Sequence, residues 1–163
     1  MPSATGATIT GFSPSSVSEK TQSTTQIVQF AHAVLMCHGM YVLQHRDDKP
    51  GIAAPGVWAL FGGRVENDEE PREAAVREVK EELGVTIDDC EPFWTVERYS
   101  DFAQSTARYS FFEADITYQW GRHRLMEGQG VERFTYDTLV SLPMFPVMRE
   151  VLARHYASAT RRQ

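Results

Sequence analysis

Hydrophobic positions along the chain form short blocks that predict strands mixed with helices. The predicted strands cover residues 27–36, 40–45, 57–61, 93–99, 107–116 and 131–134. Cys37-His38-Gly39 is a turn sequence, so the first two strands are predicted to form a hairpin. Glycine and proline predict a loop at 46–56. A final helix is predicted at 145–156, where apolar residues recur at helical spacing. This order of elements predicts an α+β or layered α/β/α fold.

The most informative block is a helix predicted at 70–83. Pro71 suits a first helical turn, and Gly84 is placed to end the helix. At about 100° per residue, one face is apolar and therefore predicted to be buried. That face consists of Ala75, Val76, Val79 and Leu83. Glu78, Glu81 and Glu82 share the adjacent arc. Carboxylates at this spacing repel one another, and a hard cation such as Mg²⁺ would offset the repulsion. A solvated helix face remains the alternative.

Charge is concentrated in the same region. The net charge is −6, and residues 66–82 hold eight acids against three bases, which is −5 of that total. With no basic stripe elsewhere, duplex nucleic acid is an unsuitable partner. No apolar run approaches the length of about 20 residues that spans a bilayer. Cys37 and Cys90 are predicted to be buried thiols in a reducing cytoplasm.

The chain is predicted to contain one domain. Residues 1–25 are rich in Ser, Thr, Pro and Gly and predict a disordered or loosely attached tail. The tail lacks the pattern of a signal peptide, which favours a cytoplasmic protein. Residues 26–163 then form the single domain, and the sequence is compatible with a monomer or a homodimer.

The spacing of residues 63–85 resembles the Nudix box. Gly63 is followed after five residues by Glu69, and after seven more by Arg77-Glu78-Val79-Lys80-Glu81-Glu82-Leu83-Gly84-Val85. Leu60-Phe61-Gly62-Gly63 resembles the Nudix subgroup that has Phe where many members have Pro. The resemblance, of MutT type, implies an α/β/α sandwich around a mixed β-sheet. It also implies a Mg²⁺-dependent hydrolase, with Mn²⁺ as a substitute, that cleaves the diphosphate of a small nucleoside diphosphate derivative.

The same resemblance implies roles for individual residues. Glu78, Glu81 and Glu82 would bind the metal, together with a carbonyl of Gly62 or Gly63. Arg77 and Glu69 would brace the loop, and Gly84 would let the chain leave the helix. The general base would be Glu81, Glu82 or an acid outside the box. Glu127 is the candidate for that acid, with Glu132 in reserve, and an ordinary loop acid is the alternative reading of Glu127.

Substrate recognition is less well defined by the sequence. Arg46 and Arg98 are weak candidates for phosphate contacts and Trp58 for stacking, although exposed arginines and packed aromatics are more usual. His32, His38 and His45 lack metal-ligand spacing and are predicted to be structural or exposed. Nucleotide sugars, nucleoside triphosphates and dinucleotides all remain open. Two other functions are kept as alternatives: a non-catalytic nucleotide-binding or regulatory module, and an isoprenoid diphosphate isomerase.

Overall fold

A mixed seven-stranded sheet organises the residues described by the computed structural model, which are 27–52 and 55–161. Its strands are β1 Val28–Cys37, β2 Met40–His45, β3 Trp58–Ala59, β4 Phe61–Arg64, β5 Glu91–Ser100, β6 Ser105–Asp115 and β7 Gly130–Phe134. The helices are α1 Pro71–Leu83, α2 Tyr136–Leu139 and α3 Pro146–Arg161. Most of these elements were predicted from the sequence, whereas α2 and a 3₁₀ turn at Trp120–Arg122 were not.

Strand β1 is the central strand of the sheet. It runs parallel to β6 from Val28↔Ala107 to Met36↔Asp115, while β5 continues the sheet antiparallel to β6. The other pairings are also antiparallel: β2 and β4 with β1, and β3 and β7 with β2. The predicted mixed sheet of an α+β protein is therefore confirmed.

The segment predicted as one strand at 57–61 is in fact two short strands, so that prediction was wrong in its bounds. The β1–β2 hairpin pairs only from Leu35↔Val42 to its turn. Farther from the turn, β1 and β2 have other partners. The end of β2 pairs with β3, and the first half of β1 pairs with β4 from Phe30↔Arg64 to Ala33↔Phe61. The 58–64 segment thus changes partner at Leu60, which places Gly62 and Gly63 inside a strand beside β1.

Both faces of the sheet are covered, which explains the unbroken burial of residues 31–35 in β1. One core cluster joins Ala31, Ala33 and Leu35 to the apolar face of α1. The other joins Val34 to the buried residues of α3, among them Val151. The molecule therefore has α/β/α layering. No helix in the described part of the chain is both long and apolar enough to span a membrane.

Both ends of α1 are set by the residues from which the helix was predicted. Pro71 opens the helix, and the Glu70 N–H donates to the Glu73 carboxylate over 3.0 Å in a capping box. Gly84 ends it with a left-handed φ of 68°. The buried face differs slightly from the prediction, because Ala74 is fully buried and Val76 only half-buried. The predicted tail at 1–25 lies outside the described residues.

Candidate active site

The second half of α1 turns two carboxylates towards the glycines of β4. Glu82 is 5% exposed, and its Oε2 accepts a hydrogen bond of 3.0 Å from the Gly62 N–H. Glu78 lies one turn earlier on the same face, against Gly63. A Cβ at position 63 would stand 2.7 Å from the Glu78 carboxyl carbon, so a side chain there would displace the carboxylate. Gly63 therefore leaves room for Glu78, and the backbone N–H of Gly62 holds Glu82.

Burial dominates the electrostatics of Glu82. Loss of water raises the pKa of its carboxyl group to about 8, and the Gly62 N–H opposes that rise by favouring the ionised form. The negative charges of Glu78 and Glu127 raise the pKa further, while the positive charge of Arg46 lowers it. Burial likewise raises the pKa of Glu78, although Arg77 opposes the rise. Such perturbed carboxyl groups cluster at functional sites.

Arg77 braces the loop that leads into α1. Its guanidinium holds Glu69 bidentately, with Nε–Oε1 at 2.8 Å and Nη2–Oε2 at 3.0 Å. These hydrogen bonds lower the pKa of Glu69, whose Oε2 also accepts from the Glu66 N–H at 3.1 Å. Arg77 Nη1 reaches Glu78 at 2.9 Å and Glu81 at 3.2 Å. The arginine thus positions the loop and the carboxylates together.

Glu81 is placed differently from its neighbours. Its side chain is 61% exposed and is turned towards Arg77. Across residues 27–52 and 55–161, no group of three or more His, Cys, Asp or Glu side chains is arranged as a metal site. The donor chemistry nevertheless fits a hard cation, because Glu78 and Glu82 are carboxylates whose burial disfavours the charged form unless a counter-charge is present.

Glu127 lies outside α1, and backbone hydrogen bonds hold its segment next to the end of that helix. The N–H groups of Arg124 and Met126 donate to the carbonyls of Leu83 and Glu82 at 2.9 and 2.8 Å, so the segment covers the end of α1. Gln44 Nε2 donates to the Glu127 carbonyl over 3.0 Å. These contacts explain why the exposed Glu127 carboxylate acts on the pKa of Glu82.

A cavity of about 630 Å³ borders the glycine pair on the α3 side of the sheet. Gly62, Gly63 and Arg46 are among the residues that line it. Arg98 stands in its wall, but its Nη2 is held by both oxygens of Glu150 at 3.0 and 3.1 Å. The cavity therefore extends from the glycine pair of β4 to the start of α3.

Trp58 is not among the residues that line this cavity. Its ring stacks on His45 with centroids 4.8 Å apart and meets Phe134 edge-on at the same centroid distance. Trp58 is partly buried and packs against the core cluster on the α3 side. The stacking of Trp58 on a substrate stays a prediction.

Sequence reasoning missed His32, which lines the cavity. The side chain is 7% exposed, and its Nδ1 has no hydrogen-bond partner among the described residues. Burial, and secondarily the charge of Arg46, lowers the pKa of His32 to about 3, although the Phe61 backbone partly opposes the change. The available signal was a polar residue inside the apolar block of β1.

Comparison with protein families gives one match that covers most of the chain. The model of the NUDIX domain matches residues 26–155. Among curated proteins, the 8-oxo-dGTP diphosphatase of Proteus vulgaris is 33% identical over 75 residues, which are 46% of this chain and 62% of that protein. The nucleoside triphosphatase NudI of Salmonella schwarzengrund is 43% identical over 74 residues, 40% of this chain and 51% of that protein. The chain spans less than two thirds of the length of these relatives.

Solved structures show the same fold. The MutT protein of Methanosarcina mazei Go1 superposes with a TM-score of 0.69 at 20% identity, covering 82% of this chain and 95% of that one. The E. coli ORF135 protein has a TM-score of 0.68 at 22% identity, covering 84% and 94%. At these identities the likeness concerns the fold alone.

Proposed function

The chain belongs to the NUDIX domain family, and from that premise we propose that it is a pyrophosphohydrolase acting on a nucleoside diphosphate derivative. Nucleotide sugars and nucleoside triphosphates are the substrates we expect. The observation that carries the proposal is the buried Glu82 carboxylate, which is held on the Gly62 N–H and borders the Glu78 carboxylate. Two buried carboxyl groups with raised pKa values beside a cavity indicate a catalytic or metal-binding site rather than a structural contact.

We expect a divalent cation, Mg²⁺ or Mn²⁺, to be held by Glu78, Glu81 and Glu82 together with a carbonyl of Gly62 or Gly63. When bound, the ion would neutralise phosphate charge and acidify a water. Binding requires Glu81 to leave Arg77, a change that its 61% exposure permits. Arg77 keeps its bidentate hold on Glu69 and so preserves the shape of the loop.

Two further roles concern the substrate phosphate and the proton of the attacking water. Arg46 lines the cavity and acts electrostatically on both Glu82 and His32, so we assign it to binding a substrate phosphate. Glu81, Glu82 and Glu127 are the candidates for the base that takes a proton from the attacking water. Among acids outside α1, Glu127 is favoured over Glu132, because the charge of Glu127 acts on Glu78 and Glu82.

The names of the relatives support a nucleotide substrate. One is a diphosphatase for 8-oxo-dGTP and the other a nucleoside triphosphatase. Both matched regions include less than two thirds of the relative, so we carry over only the class of substrate. The buried thiols of Cys37 and Cys90 suit a reducing compartment, and we therefore expect the protein to act in the cytoplasm.

The alternative functions find less support. An isoprenoid diphosphate isomerase needs a reactive cysteine, yet Cys37 and Cys90 are 0% and 1% exposed and belong to the core on the α1 side. Burial also raises the pKa of Cys90, which disfavours its thiolate. A purely binding module would have no use for the costly burial of Glu82.

The direct test is a screen for phosphate and pyrophosphate release with Mg²⁺ or Mn²⁺. The panel contains nucleotide sugars, nucleoside triphosphates and dinucleotides. We expect Glu82→Gln to lower kcat by at least about 100-fold, because a metal ligand or base is lost. Glu73→Gln, an exposed position on the same helix where Gln also supports the capping box, is the matched control and should retain normal turnover.

The outcomes separate the functions. Metal-dependent release that Glu82→Gln loses and Glu73→Gln keeps would establish the hydrolase. Near-normal turnover by Glu82→Gln would remove Glu82 from the chemistry. If wild-type protein releases nothing from any member of the panel, the binding module becomes the better description.

A further inference from the structure

We propose that Gln44, a buried residue of β2, is a positioning residue that fixes Glu127 beside the carboxylates of α1. The inference deepens the proposed function and rests on it for the role of Glu127 as the base. It adds a residue that acts through another one rather than on the substrate.

Gln44 is a polar residue at a position of the core. The burial of β2 is continuous from Tyr41 to Gln44, and Gln44 itself is 1% exposed. Its backbone is interior to the sheet, because it pairs with Ala59 of β3 on one edge and with Val131 of β7 on the other. Burying an amide group costs free energy that an apolar side chain of similar size would not cost. The amide therefore indicates a role beyond packing.

The Gln44 amide holds the backbone of Glu127. Its Nε2 donates to the Glu127 carbonyl over 3.0 Å. From the other side, the Glu82 carbonyl accepts the N–H of Glu127 at 3.4 Å and that of Met126 at 2.8 Å. Glu127 is thus held by β2 at its carbonyl and by the end of α1 at its N–H. These contacts keep its backbone next to the residue that carries the most buried carboxylate of the site.

The residues after Glu127 continue the attachment to β2. A Cβ at position 128 would stand 2.8 Å from the His45 carbonyl oxygen and 2.9 Å from Gln44 Cγ, so the close approach requires Gly128. The Gln129 N–H donates to the His45 carbonyl over 2.8 Å, and its Nε2 donates to the Arg46 carbonyl over 2.7 Å. Gln44 is the member of the 44–46 stretch that contributes its side chain, so a substitution can remove its contact.

The attachment joins two charged groups of the site. The charge of Glu127 raises the pKa of Glu82 and that of Arg46 lowers it, so both side chains are within electrostatic reach of the same carboxylate. Contacts at 44–46 fix the segments of Arg46 and Glu127 relative to each other. A base must lie within hydrogen-bond reach of the proton that it takes, and a misplacement of about 1 Å can cost roughly 100-fold in rate. The Gln44 hydrogen bond therefore matters for turnover.

A purely structural role for Gln44 makes a different prediction. Its hydrogen bond would then contribute to the free energy of unfolding, and its loss would not act through Glu127. A double-mutant cycle on turnover separates the two roles, because only a positioning residue loses its effect when the residue it positions is already inactive.

The first experiment is this cycle, measured on the full-length protein with Mg²⁺ and the substrate that wild type hydrolyses fastest. Gln44→Met removes the amide and keeps the length of the side chain. It should lower kcat about tenfold and leave KM within about twofold, because the base is displaced while substrate binding is kept. Glu127→Gln should lower kcat about 100-fold or more. In that background, Gln44→Met should lower kcat no further.

Gln119→Met is the matched control. The Gln119 Nε2 also donates to a backbone carbonyl, that of Thr86 at 3.5 Å, and the residue lies outside the 127–129 segment. Its kcat and KM should stay as in wild type. Effects of Gln44→Met and Glu127→Gln that multiply in the double variant would overturn the proposal. So would a normal kcat in Gln44→Met.

A second measurement needs no turnover. In ²H,¹³C,¹⁵N-labelled wild type, NMR should detect a scalar coupling across the hydrogen bond from Gln44 Nε2 to the Glu127 carbonyl carbon. In Gln44→Met, the Met126 N–H should exchange with solvent about fivefold faster, because the segment opens more often once the amide is lost. Gln119→Met should leave this exchange unchanged. A missing coupling in wild type, or an unchanged exchange rate in Gln44→Met, would overturn the proposal.

The two proposals fail in different ways. If wild type hydrolysed no substrate while the coupling was present and exchange responded to Gln44→Met, the hydrolase would be refuted and the attachment of Glu127 to Gln44 would stand. Hydrolysis that Glu127→Gln leaves at the normal rate would keep the hydrolase and overturn the positioning role, since Glu127 would then not be the base.

Discussion

At the scale of single residues, the two adjacent glycines of β4 have different neighbours. Gly62 has a φ of 139°, and a Cβ there would overlap the Ala31 carbonyl and lie 2.6 Å from His32 Cα. Gly63 has no such backbone neighbour, and its Cβ would meet the carboxylate of Glu78 instead. The first glycine is required by the fold, and the second by the site.

Alanine substitutions should therefore separate these requirements. Gly62→Ala should lower the free energy of unfolding by about 2 kcal/mol or more, because backbone atoms must move. Gly63→Ala should cost at most about 1 kcal/mol, since the end of a side chain can yield, but it should lower kcat more than tenfold by displacing Glu78. Urea unfolding and turnover measure both effects. Gly121→Ala, with no atom within 4 Å of the new Cβ, is the control. Equal stability losses at 62 and 63 would contradict this account.

Two buried titratable residues should give the metal-free protein opposite pH dependences. The folded-state pKa of Glu82 is raised from 4.5 to about 8, so its contribution to stability is present below pH 4.5 and is lost as the pH rises through 8. The folded-state pKa of His32 is lowered from 6.5 to about 3, so its contribution is present above pH 6.5 and is lost as the pH falls. Between pH 6.5 and 8, only the Glu82 term should change appreciably.

We therefore expect the metal-free protein to lose stability between pH 6.5 and pH 8. Urea unfolding in the presence of a chelator measures the change. Glu82→Gln should flatten the slope, whereas Glu73→Gln should leave it as in wild type. A slope that persists in Glu82→Gln would show that another group titrates.

At the scale of elements, the end of α1 and the 124–127 segment form one unit. The carbonyls of Glu82 and Leu83, which the helix leaves unpaired, accept N–H groups of that segment. The backbone of a catalytic candidate on α1 is thereby connected to the backbone next to Glu127. The position of Glu127 should depend on these hydrogen bonds.

Removing one N–H group tests this connection. Met126 is 59% exposed, and its N–H donates to the Glu82 carbonyl over 2.8 Å. Met126→Pro deletes that donor and should lower kcat about tenfold or more by moving Glu127, at a stability cost of about 1–3 kcal/mol. Met126→Ala keeps the N–H and should behave nearly as wild type. If both variants were equally active, the segment would not position Glu127.

At the scale of the whole molecule, α3 is connected across the sheet by polar contacts far from the carboxylate site. His155 Nε2 lies 3.1 Å from Glu113, and His155 Nδ1 accepts from the buried Tyr41 hydroxyl over 3.0 Å. The contacts join β2, β6 and α3. Since α3 also borders the cavity, this connection helps to set the distance between the helix and the sheet.

Tyr41→Phe should lower the free energy of unfolding by about 1 kcal/mol, because one buried hydrogen bond is lost. Glu113→Gln combined with it should cost less than the sum of the single effects, since both act on His155. Chemical unfolding of the four proteins gives the coupling energy. Tyr118→Phe, at a tyrosine that is 94% exposed, should change nothing. Strict additivity would mean that the contacts act independently.

The sequence by itself determined the elements and the family. The apolar pattern together with turn, proline and glycine signals located the long strands and the helices α1 and α3, because apolar residues must face a core. The spacing from Gly63 to Val85 identified the family, since those residues lie close together in the chain. The placement of three glutamates on one arc of α1 followed from helix geometry.

Only the tertiary structure decided how distant segments meet. Whether residues 58–64 form one strand or two depends on where β1 and β2 separate, which no local pattern encodes. The structure also distinguished the buried Glu82 from the exposed Glu81, although the two are adjacent in sequence. His32 lines a cavity only because β1, β4, β6 and α3 come together there. Burial, electrostatic interaction and cavity shape arise from contacts between remote residues, so they follow from the fold rather than from any local stretch of sequence.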